Sequence, residues 1–391
     1  MARFKGADFL SIMETQFTEE ERMVRDSVRE WVEDRVIPVV DRCYQEDRFP
    51  LEWKDELAKL GALGPGLVEY GGGDLSHVCR GLIYRELERG DSGLRSFASV
   101  MNSLVMFPIR AYGTKAQQDR WLPGMIRGEK VGCFGLTEPD FGSNPGGMLT
   151  RAEKVKDGWL LNGTKRWITN GTISDVAIVF AKTAEGIRGF LVEKGTPGFS
   201  APVIRQKWSL RASITSELIL EDCLVPEDAL LPGTSIGLKA PLTCLSEARY
   251  GIAWGAVGVM EACYEEAFDY VMTRRQFEDK PLASHQLVQQ RLSTILTETV
   301  KAELLVLQVG RLKDLGLANH AHISMAKRNN CEWALDIART ARDMLGASGI
   351  TYEYRCGRHM MNMESVKTYE GAHDVHHLIL GDYITGIPAY S

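Results

Sequence analysis

The sequence predicts a mainly helical α+β protein, in which a helical domain, an antiparallel β-domain and a second helical domain follow one another. Two observations carry this prediction. Apolar residues recur at helical spacing near both ends of the 391-residue chain, and short β-rich runs separated by turn residues fill its middle. We expect the domains to cover residues 1–130, 131–238 and 239–391. Because the β-rich runs do not alternate with helical ones, a small antiparallel sheet is favoured over βαβ units.

The first domain opens on a helix-start signal. Thr18 and Glu21 have the spacing of a capping box, in which each side chain accepts a hydrogen bond from the backbone amide of the other residue. The residues behind them place an apolar stripe on one helix face: Val24, Val28, Trp31 and Val32. Residues 79–89 and 115–127 are predicted to be helical as well.

The middle of the chain has the texture of a sheet. Asn162-Gly163 is a turn signal between two strand-like runs, and it predicts a hairpin within residues 160–169. Further short strands are predicted at residues 176–181, 189–193, 199–204 and 217–220.

The last domain consists of long helical stretches with few breakers, at residues 242–273, 284–314 and 321–346. Three such helices favour antiparallel bundle packing. Their many alanines and leucines suit a helical subunit interface equally well.

Composition excludes several classes of protein. A net charge of −6 gives no broad basic footprint, so no nucleic acid is expected as a partner. The eight cysteines contain no C-x-x-C pair, which disfavours a disulfide framework and a zinc knuckle. No apolar run approaches the roughly 20 residues that span a bilayer, and residues 1–6 lack the apolar core of a secretion signal. We expect a bacterial or archaeal cytoplasmic protein without integral membrane contact; a mature mitochondrial matrix protein would look the same.

A dense polar cluster lies at residues 369–377, and three interpretations are open. It is a polar helix start, with Asp374 in the first turn. It is a metal site, because Glu370, His373 and His377 fall at helical spacing, although an H-E-x-x-H motif is absent and no metal is predicted. Or Glu370 is a general base, and Gly371 lets a substrate approach the backbone closely.

Two further segments carry candidate ligand groups. Residues 135–144 offer hydroxyls and backbone amides, but they lack both G-x-G-x-x-G and a Walker sequence, so an ordinary surface turn is the alternative. Arg95 stands beside Ser96 and Ser99, where an arginine could hold a carboxylate bidentately. A surface salt bridge is the alternative for Arg95.

Several motifs stand in a fixed order along the chain: FGLTEP at 134–139 followed by GS at 142–143, GTKRWITN at 163–170, RRQF at 274–277 with Gln286 beyond it, and YEG at 369–371. From about residue 18 to the C-terminus, the sequence closely resembles the acyl-CoA dehydrogenase family. The resemblance implies an N-terminal helical domain, a β-domain and a C-terminal four-helix bundle, usually in a homotetramer. It also implies FAD as cofactor, an acyl-CoA substrate and an electron-transfer flavoprotein as acceptor.

Within the family the chain looks most like the glutaryl-CoA dehydrogenases, in the stretches DSGLRS at 91–96, SLVM at 103–106, ARYGIAWG at 248–255, KRNN at 327–330 and ARTARDMLG at 338–346. Those enzymes oxidise glutaryl-CoA and decarboxylate it to crotonyl-CoA and CO2. The alternative is a dehydrogenase that does not decarboxylate and takes another short-chain or dicarboxylic acyl thioester, on CoA or a carrier protein.

The resemblance also assigns roles to residues. Glu370 falls on the catalytic base. The substrate set is Arg95, Ser96, Ser99, Ser143, Arg249, Tyr369, Gly371 and Glu88, of which Arg95, Ser99 and Tyr369 meet the distal carboxylate of glutaryl-CoA. The FAD set is Phe134, Leu136, Thr137, Gly142, Ser143, Trp167, Ile168, Thr169, Arg274, Phe277, Gln286, Asp343, Leu345, Gly346, Ala372 and Asp374, partly across a subunit boundary.

Four departures from the family pattern bear on these roles. Asn144 stands where aspartate is common, and Ala372 replaces a threonine whose hydroxyl is expected near FAD. Ser246-Glu247 replaces a pair of asparagines, and residues 278–280 replace a shorter glycine-containing loop. These changes predict altered FAD affinity or a related acyl donor.

Overall fold

The computed structural model describes residues 8–234 and 237–389, so the N-terminal segment 1–6 lies outside the described residues. Within that range two helical regions flank one sheet, and the predicted mainly helical α+β class is confirmed. No helix of the described residues combines the length and the apolar character that a bilayer span requires.

From residue 8 onward, the first helical region contains eight α-helices. They are α1 (Ile12–Thr15), α2 (Glu19–Trp31), α3 (Ile37–Gln45), α4 (Glu52–Lys59), α5 (His77–Gly90), α6 (Ser92–Ser99), α7 (Phe107–Tyr112) and α8 (Lys115–Ile126), with π-helical turns at Val32–Val36 and Val100–Met106. Two of them, α5 and α8, agree closely with the helices predicted at residues 79–89 and 115–127. The predicted capping box is present: the Glu21 amide donates to Thr18 Oγ1 over 3.2 Å, and the Thr18 amide donates to Glu21 Oε2 over 2.9 Å.

The middle region is a seven-stranded sheet. Its strands are β1 (Gly132–Gly135), β2 (Arg151–Val155), β3 (Gly158–Thr169), β4 (Val176–Thr183), β5 (Gly186–Glu193), β6 (Phe199–Ser200) and β7 (Thr215–Val225). The order is β1-β4-β2-β3-β7-β6, and β5 also pairs with β4. Pairing is antiparallel except between β1 and β4 and at one register position between β2 and β4.

The predicted hairpin at Asn162-Gly163 is wrong, because β3 runs straight through these residues. A Cβ on Gly163 would lie 2.6 Å from the Thr150 Cα, and the residue has φ +148°, so the glycine permits a close approach of two chain segments. The pairing of β3 with β7 shifts register between Leu161 and Gly163. The Asn-Gly signal therefore marks an irregularity within a strand and not a turn.

The last region contains the three long helices predicted, now bounded as α9 (Lys239–Thr273), α10 (Gln286–Asp314) and α11 (His320–Met344), followed by α12 (Arg355–Thr368) and α13 (His373–Thr385). A short hairpin, β8 (Arg275–Gln276) and β9 (Lys280–Pro281), joins α9 to α10.

The two helical regions share one hydrophobic core, whereas the sheet has a second, smaller one. Glycines make the helical contact close. On α9, a Cβ at Gly251 would lie 2.9 Å from the Tyr84 ring, and a Cβ at Gly255 would lie 1.7 Å from Glu88 Oε2. Glycine at 255 thus lets α5 approach α9 with the Glu88 carboxylate between them.

Candidate functional site

A cavity of about 1630 Å³ opens where the sheet meets the helices, and it gathers residues far apart in the sequence. Many of the residues singled out from the sequence line it: Ser96, Phe134, Leu136, Thr137, Gly142, Ser143, Trp167, Ile168, Thr169, Arg249, Tyr369, Glu370, Gly371 and Ala372. The polar cluster at 369–377 and the hydroxyl-rich segment at 135–144 therefore face one space.

Glu370 lies in a strained loop between α12 and α13, at the cavity wall. Its φ is +53°, in the left-handed region that costs a non-glycine residue about 1 kcal/mol or more, and Gly371 follows with φ +101°. Glu370 Oε2 is buried and has no hydrogen-bond partner within the described chain. A carboxylate oxygen left free at a cavity wall is available to a ligand.

Two buried cations hold this loop from behind. Lys327 Nζ donates to the carbonyls of Tyr369 and Gly371, each over 2.7 Å. Arg249 Nε donates to the carbonyl of Glu370 over 2.6 Å. Three successive carbonyls are thus turned into the protein. Among the hydrogen bonds of the described residues, the amides of Glu370 and Gly371 donate none.

Burial and nearby charges together set the pKa of the Glu370 carboxyl. Burial raises the pKa of the Glu370 carboxyl above its usual range, and three cations, Arg95, Lys327 and Arg249, partly offset that rise. A carboxyl whose pKa is raised toward neutrality can take a proton and also return it.

Arg95 forms a buried ion pair directly behind Tyr369. Its Nε donates to Glu88 Oε2 over 2.7 Å, its Nη2 donates to Glu88 Oε1 over 3.2 Å and to the Tyr369 hydroxyl, and the Tyr369 and Ser96 oxygens are 3.3 Å apart. Arg95, Glu88 and Ser99 are fully buried and lie behind the residues that line the cavity. The surface salt bridge considered for Arg95 is therefore wrong.

This cluster keeps unused hydrogen-bonding capacity. Arg95 Nη1 and Ser99 Oγ have no partner among the described residues. Such buried groups usually find a partner, so their lack of one next to a cavity marks them as candidate ligand contacts.

The sheet side of the cavity is a mostly apolar wall with hydroxyls at its edges. Trp167 has φ +62° and is 56% exposed, and a Cβ at Gly142 would meet nothing within 4 Å. The hydroxyls of Thr137 and Thr169 are on the same wall. A large open aromatic face with polar groups beside it suits a planar ring with a polar edge. The residues present thus fit the flavin ring of FAD.

A buried lysine also holds this wall in place. Lys165 Nζ donates to the Leu136 carbonyl over 3.1 Å and to Glu138 Oε1 over 2.8 Å. Glu138 in turn accepts from the amides of Leu149 and Thr150, over 2.6 and 2.9 Å. The ion pair therefore ties the two ends of the loop between β1 and β2 together.

Other residues assigned to FAD from the sequence lie away from the cavity. Asp374 is exposed in the first turn of α13. The rest stand where α9, α10 and α11 meet the short hairpin, and an ion pair between Arg291 and Asp343 joins two of these helices. They are Arg274, Phe277, Gln286, Asp343, Leu345 and Gly346. None of these six residues lines the cavity of the chain to which it belongs.

The metal interpretation of residues 369–377 fails on geometry. Glu370 lies outside α13, which begins at His373, so the three side chains do not share a helix face. Among the described residues, no group of three or more potential ligands could hold a metal ion. The first interpretation, a polar helix start with Asp374 in its first turn, is confirmed.

Sequence reasoning missed several lysines of the site. Lys207 lines the cavity and donates over 2.7 Å to the carbonyls of both Leu210 and Ser213, while Lys313 lines it as the ion-pair partner of Glu247. Lys207 stands in a segment without a motif. Lys327 did leave a signal, because it is a single lysine on the buried face of α11, between Ala326 and Asn330.

Comparisons with known proteins place all three regions in one family. Family models match in chain order: the acyl-CoA dehydrogenase N-terminal domain over residues 18–129, the middle domain over 133–223 and the C-terminal domain over 236–385.

Solved structures and curated relatives agree. A glutaryl-CoA dehydrogenase from Mycobacterium smegmatis is 49% identical, with a TM-score of 0.97 over 99% of this chain and 100% of the other. A second M. smegmatis structure of a glutaryl-CoA dehydrogenase, in complex with FADH2, is 46% identical, with a TM-score of 0.97 over the same shares. The mitochondrial short-chain specific acyl-CoA dehydrogenase of Bos taurus is 32% identical over 94% of this chain and 91% of its own.

Proposed function

Since this chain belongs to the acyl-CoA dehydrogenase family and is an FAD-dependent oxidoreductase, we propose that it oxidises glutaryl-CoA and decarboxylates the product to crotonyl-CoA and CO2. The similarity to two glutaryl-CoA dehydrogenases over 99% of the chain supports this choice. The observation that carries it is the buried Arg95, with an unpartnered Nη1, behind the cavity wall that also bears Glu370.

The distal carboxylate of glutaryl-CoA needs a cation and hydrogen-bond donors. Arg95 supplies the charge, the Tyr369 hydroxyl and Ser96 stand at the cavity wall, and Ser99 lies behind them. Glu88 holds one edge of the guanidinium and leaves Nη1 for the substrate. An acyl chain without a carboxylate has no use for this arrangement, because it would leave the buried Nη1 donor without an acceptor.

Oxidation begins when Glu370 takes the α-proton of the thioester. The amides of Glu370 and Gly371 donate no hydrogen bond among the described residues. They are therefore free to receive the developing negative charge on the thioester oxygen, a contact worth about 3–4 kcal/mol per donor in other enzymes. Residues of the 134–143 and 167–169 segments would hold FAD at this wall, and the bound flavin would supply the acceptor for the β-hydride. The product is glutaconyl-CoA, and Glu370 carries the proton.

Decarboxylation uses the same groups in reverse. The bond between the distal carboxylate and its carbon breaks, CO2 leaves, and the electron pair spreads into the conjugated thioester. The acid form of Glu370 then returns its proton to the carbon chain, which gives crotonyl-CoA and restores the carboxylate. A raised pKa at Glu370 serves both steps.

A second candidate is a dehydrogenase that stops at the enoyl product and takes another short-chain or dicarboxylic acyl thioester, on CoA or a carrier protein. The short-chain specific relatives favour it. So does Glu247, which lines the cavity as half of an ion pair where the family pattern has asparagine.

We also propose an oligomeric state, an electron acceptor and a cellular location for the enzyme. Arg274, Phe277, Gln286, Asp343, Leu345 and Gly346 of one copy complete the FAD site of another copy in a homotetramer, which accounts for their distance from the cavity of their own chain. An electron-transfer flavoprotein accepts the electrons. The location is the cytoplasm of a bacterium or archaeon, and a mature mitochondrial matrix form fits the same residues.

Product analysis after one anaerobic turnover tests the proposed reaction. Flavin-loaded enzyme mixed with glutaryl-CoA should lose its flavin absorbance and yield crotonyl-CoA and CO2. Glutaconyl-CoA as the final product would support the second candidate instead. Glu370→Gln should slow flavin reduction at least about a hundredfold, and full-speed reduction by this variant would refute the assignment of the base.

The Arg95→Ala variant tests the carboxylate site. We expect kcat/KM for glutaryl-CoA to fall by about a hundredfold or more, because a charge-assisted contact worth roughly 3 kcal/mol is lost. Turnover of butyryl-CoA should fall much less. Arg89→Ala is the matched control, since it removes a buried arginine whose partners, Glu33 and Glu265, lie away from the cavity. Equal losses on both substrates would remove the basis of the proposal.

A further inference from the structure

Lys327 has no part in the reaction described above, yet it binds the backbone on both sides of the proposed base. It stands in α11, is 1% exposed, and does not line the cavity. Its Nζ donates over 2.7 Å to the carbonyls of Tyr369 and Gly371, one before and one after Glu370. Within the described residues, no carboxylate lies within ion-pair distance of this Nζ.

We propose that Lys327 is a positioning residue that fixes the 369–371 loop, and thereby aims the carboxylate and the free amides of this loop at the substrate. The proposal rests on the assignment of Glu370 as the base. The loop needs such an anchor because Glu370 is held in the left-handed region, from which an unconstrained residue relaxes. A single Nζ that binds both carbonyls fixes the rotation of the peptide groups that carry them, one on each side of the Glu370–Gly371 peptide group.

Lys327 also acts on Glu370 through its charge. Charged and titratable groups surround Glu370 from five helices: Glu88 on α5, Arg95 on α6, Arg249 on α9, Lys327 on α11 and His376 on α13. Burial lowers the pKa of His376 to about 2, so that side chain stays neutral.

Lys327 itself carries a proton near neutral pH. Burial lowers its pKa to about 8, although Cys331 and Glu370 oppose that shift. It is therefore one of three cations that favour the ionised form of the base. An uncharged side chain at 327 should weaken that preference and also free the loop.

The test uses the flavin-loaded enzyme and Lys327→Met, which has a similar length but neither charge nor donors. Flavin reduction is followed anaerobically against pH with whichever of glutaryl-CoA and butyryl-CoA reduces the wild-type flavin. We expect reduction at pH 7 to slow by about tenfold or more, and the rising limb of the pH profile to move upward by about one unit, because loss of a nearby cation raises a carboxyl pKa. Lys301→Met, an exposed lysine paired with Glu298, should leave both quantities unchanged.

A second readout does not depend on turnover. Infrared absorption of the protonated Glu370 carboxyl, identified by its absence in Glu370→Gln, gives the pH midpoint of that group without substrate. It should move upward in Lys327→Met by the same amount as the kinetic limb. An unchanged limb together with an unchanged infrared midpoint would overturn the proposal.

The experiment remains decisive if Lys327→Met does not accumulate as folded protein. Lys327→Gln then replaces it, since its amide can donate to a carbonyl but carries no charge, and the same upward movement is expected. Failure of this inference is also distinct from failure of the proposed function. Full-speed flavin reduction by Glu370→Gln would refute the assignment of Glu370 as the base. If Glu370→Gln loses flavin reduction but the pH profile of Lys327→Met or Lys327→Gln equals that of the wild type, only the role of Lys327 is refuted.

Discussion

Helix α5 carries two buried charge clusters, which differ in their charge balance and in their unused hydrogen-bond donors. In the first, Glu88 pairs with a single cation, Arg95, beside the cavity. In the second, two arginines meet three carboxylates, which are Glu86, Glu261 and Glu303. The first cluster balances its charges and retains a free guanidinium nitrogen, whereas the second, counted over residues 8–234 and 237–389, has one carboxylate more than it has arginines.

The second cluster, as far as the described residues show, does not reach the cavity. Arg85 lies 2.8 Å from Glu86, 2.6 Å from Glu261 and 3.2 Å from Glu303, and none of these residues lines the cavity. A proton can neutralise its surplus negative charge, because burial raises the pKa of Glu303 to about 7. A buried ion pair is thus a candidate site when it retains a donor next to a cavity. A closed cluster with excess acid is structural.

The largest effect should follow from removal of Arg85. Arg85→Met leaves three buried carboxylates with only Arg29, whose side chain is 27% exposed. We expect the free energy of unfolding to fall by about 3–5 kcal/mol, because a broken buried ion pair leaves uncompensated charge. Urea titration measures it. Arg35→Met, which breaks the exposed pair with Glu56, should cost less than about 1 kcal/mol. Similar losses in the two variants would contradict the difference between the clusters.

These clusters also show what sequence can and cannot reveal. Glu370 was singled out because an acid, a glycine and a family motif are adjacent in the chain, and the segments 134–143 and 167–169, which line the same cavity, come from equally compact motifs. Arg95 was singled out with its serines, but its pairing with Glu88 depends on helix α5 turning back onto α6, and its burial depends on α9. Tertiary packing decided whether that arginine was a surface residue.

Predictions from local sequence patterns failed where a residue far away in the sequence determines the local structure. Asn162-Gly163 has the composition of a turn, yet the approach of Thr150 explains the glycine. Lys327 entered the sequence analysis only within the KRNN motif. Its place as the single lysine on the buried face of α11 does not by itself indicate that it binds the carbonyls of residues 369 and 371. The assignment of Arg274 and Asp343 to FAD stays a prediction, because both residues lie away from the cavity of their own chain.

A smaller and more selective effect is expected from Gly255→Ala. The new methyl group would overlap Glu88 Oε2, which cannot swing away freely because Glu88 is fully buried and bonded twice to Arg95. Displacement of the pair should lower kcat/KM for glutaryl-CoA by about tenfold, since small misplacements of positioning groups are costly. Butyryl-CoA turnover should change little.

The matched control for Gly255→Ala is Gly381→Ala in α13, where the added Cβ meets nothing within 4 Å. That change should leave both substrates unaffected and raise the free energy of unfolding by about 0.5–1 kcal/mol, because alanine favours a helix interior. An unaltered ratio of the two substrates in Gly255→Ala would mean that the position of Glu88 does not tune the carboxylate site.

The smallest effect depends on pH and concerns the excess acid of the closed cluster. The pKa of Glu303 is about 7 in the folded protein, above its value in the unfolded chain, so the folded state binds the extra proton between these values. The resulting stabilisation is complete below the unfolded pKa and is lost as pH rises through 7. Glu303→Gln is neutral at every pH and should resemble the wild type near pH 5, but exceed its free energy of unfolding by about 1 kcal/mol or more at pH 8. Urea titrations at both pH values measure the free energy of unfolding of the two proteins. If Glu303→Gln differs from the wild type by the same amount at pH 5 and pH 8, Glu303 stays ionised and the arginines alone balance the cluster.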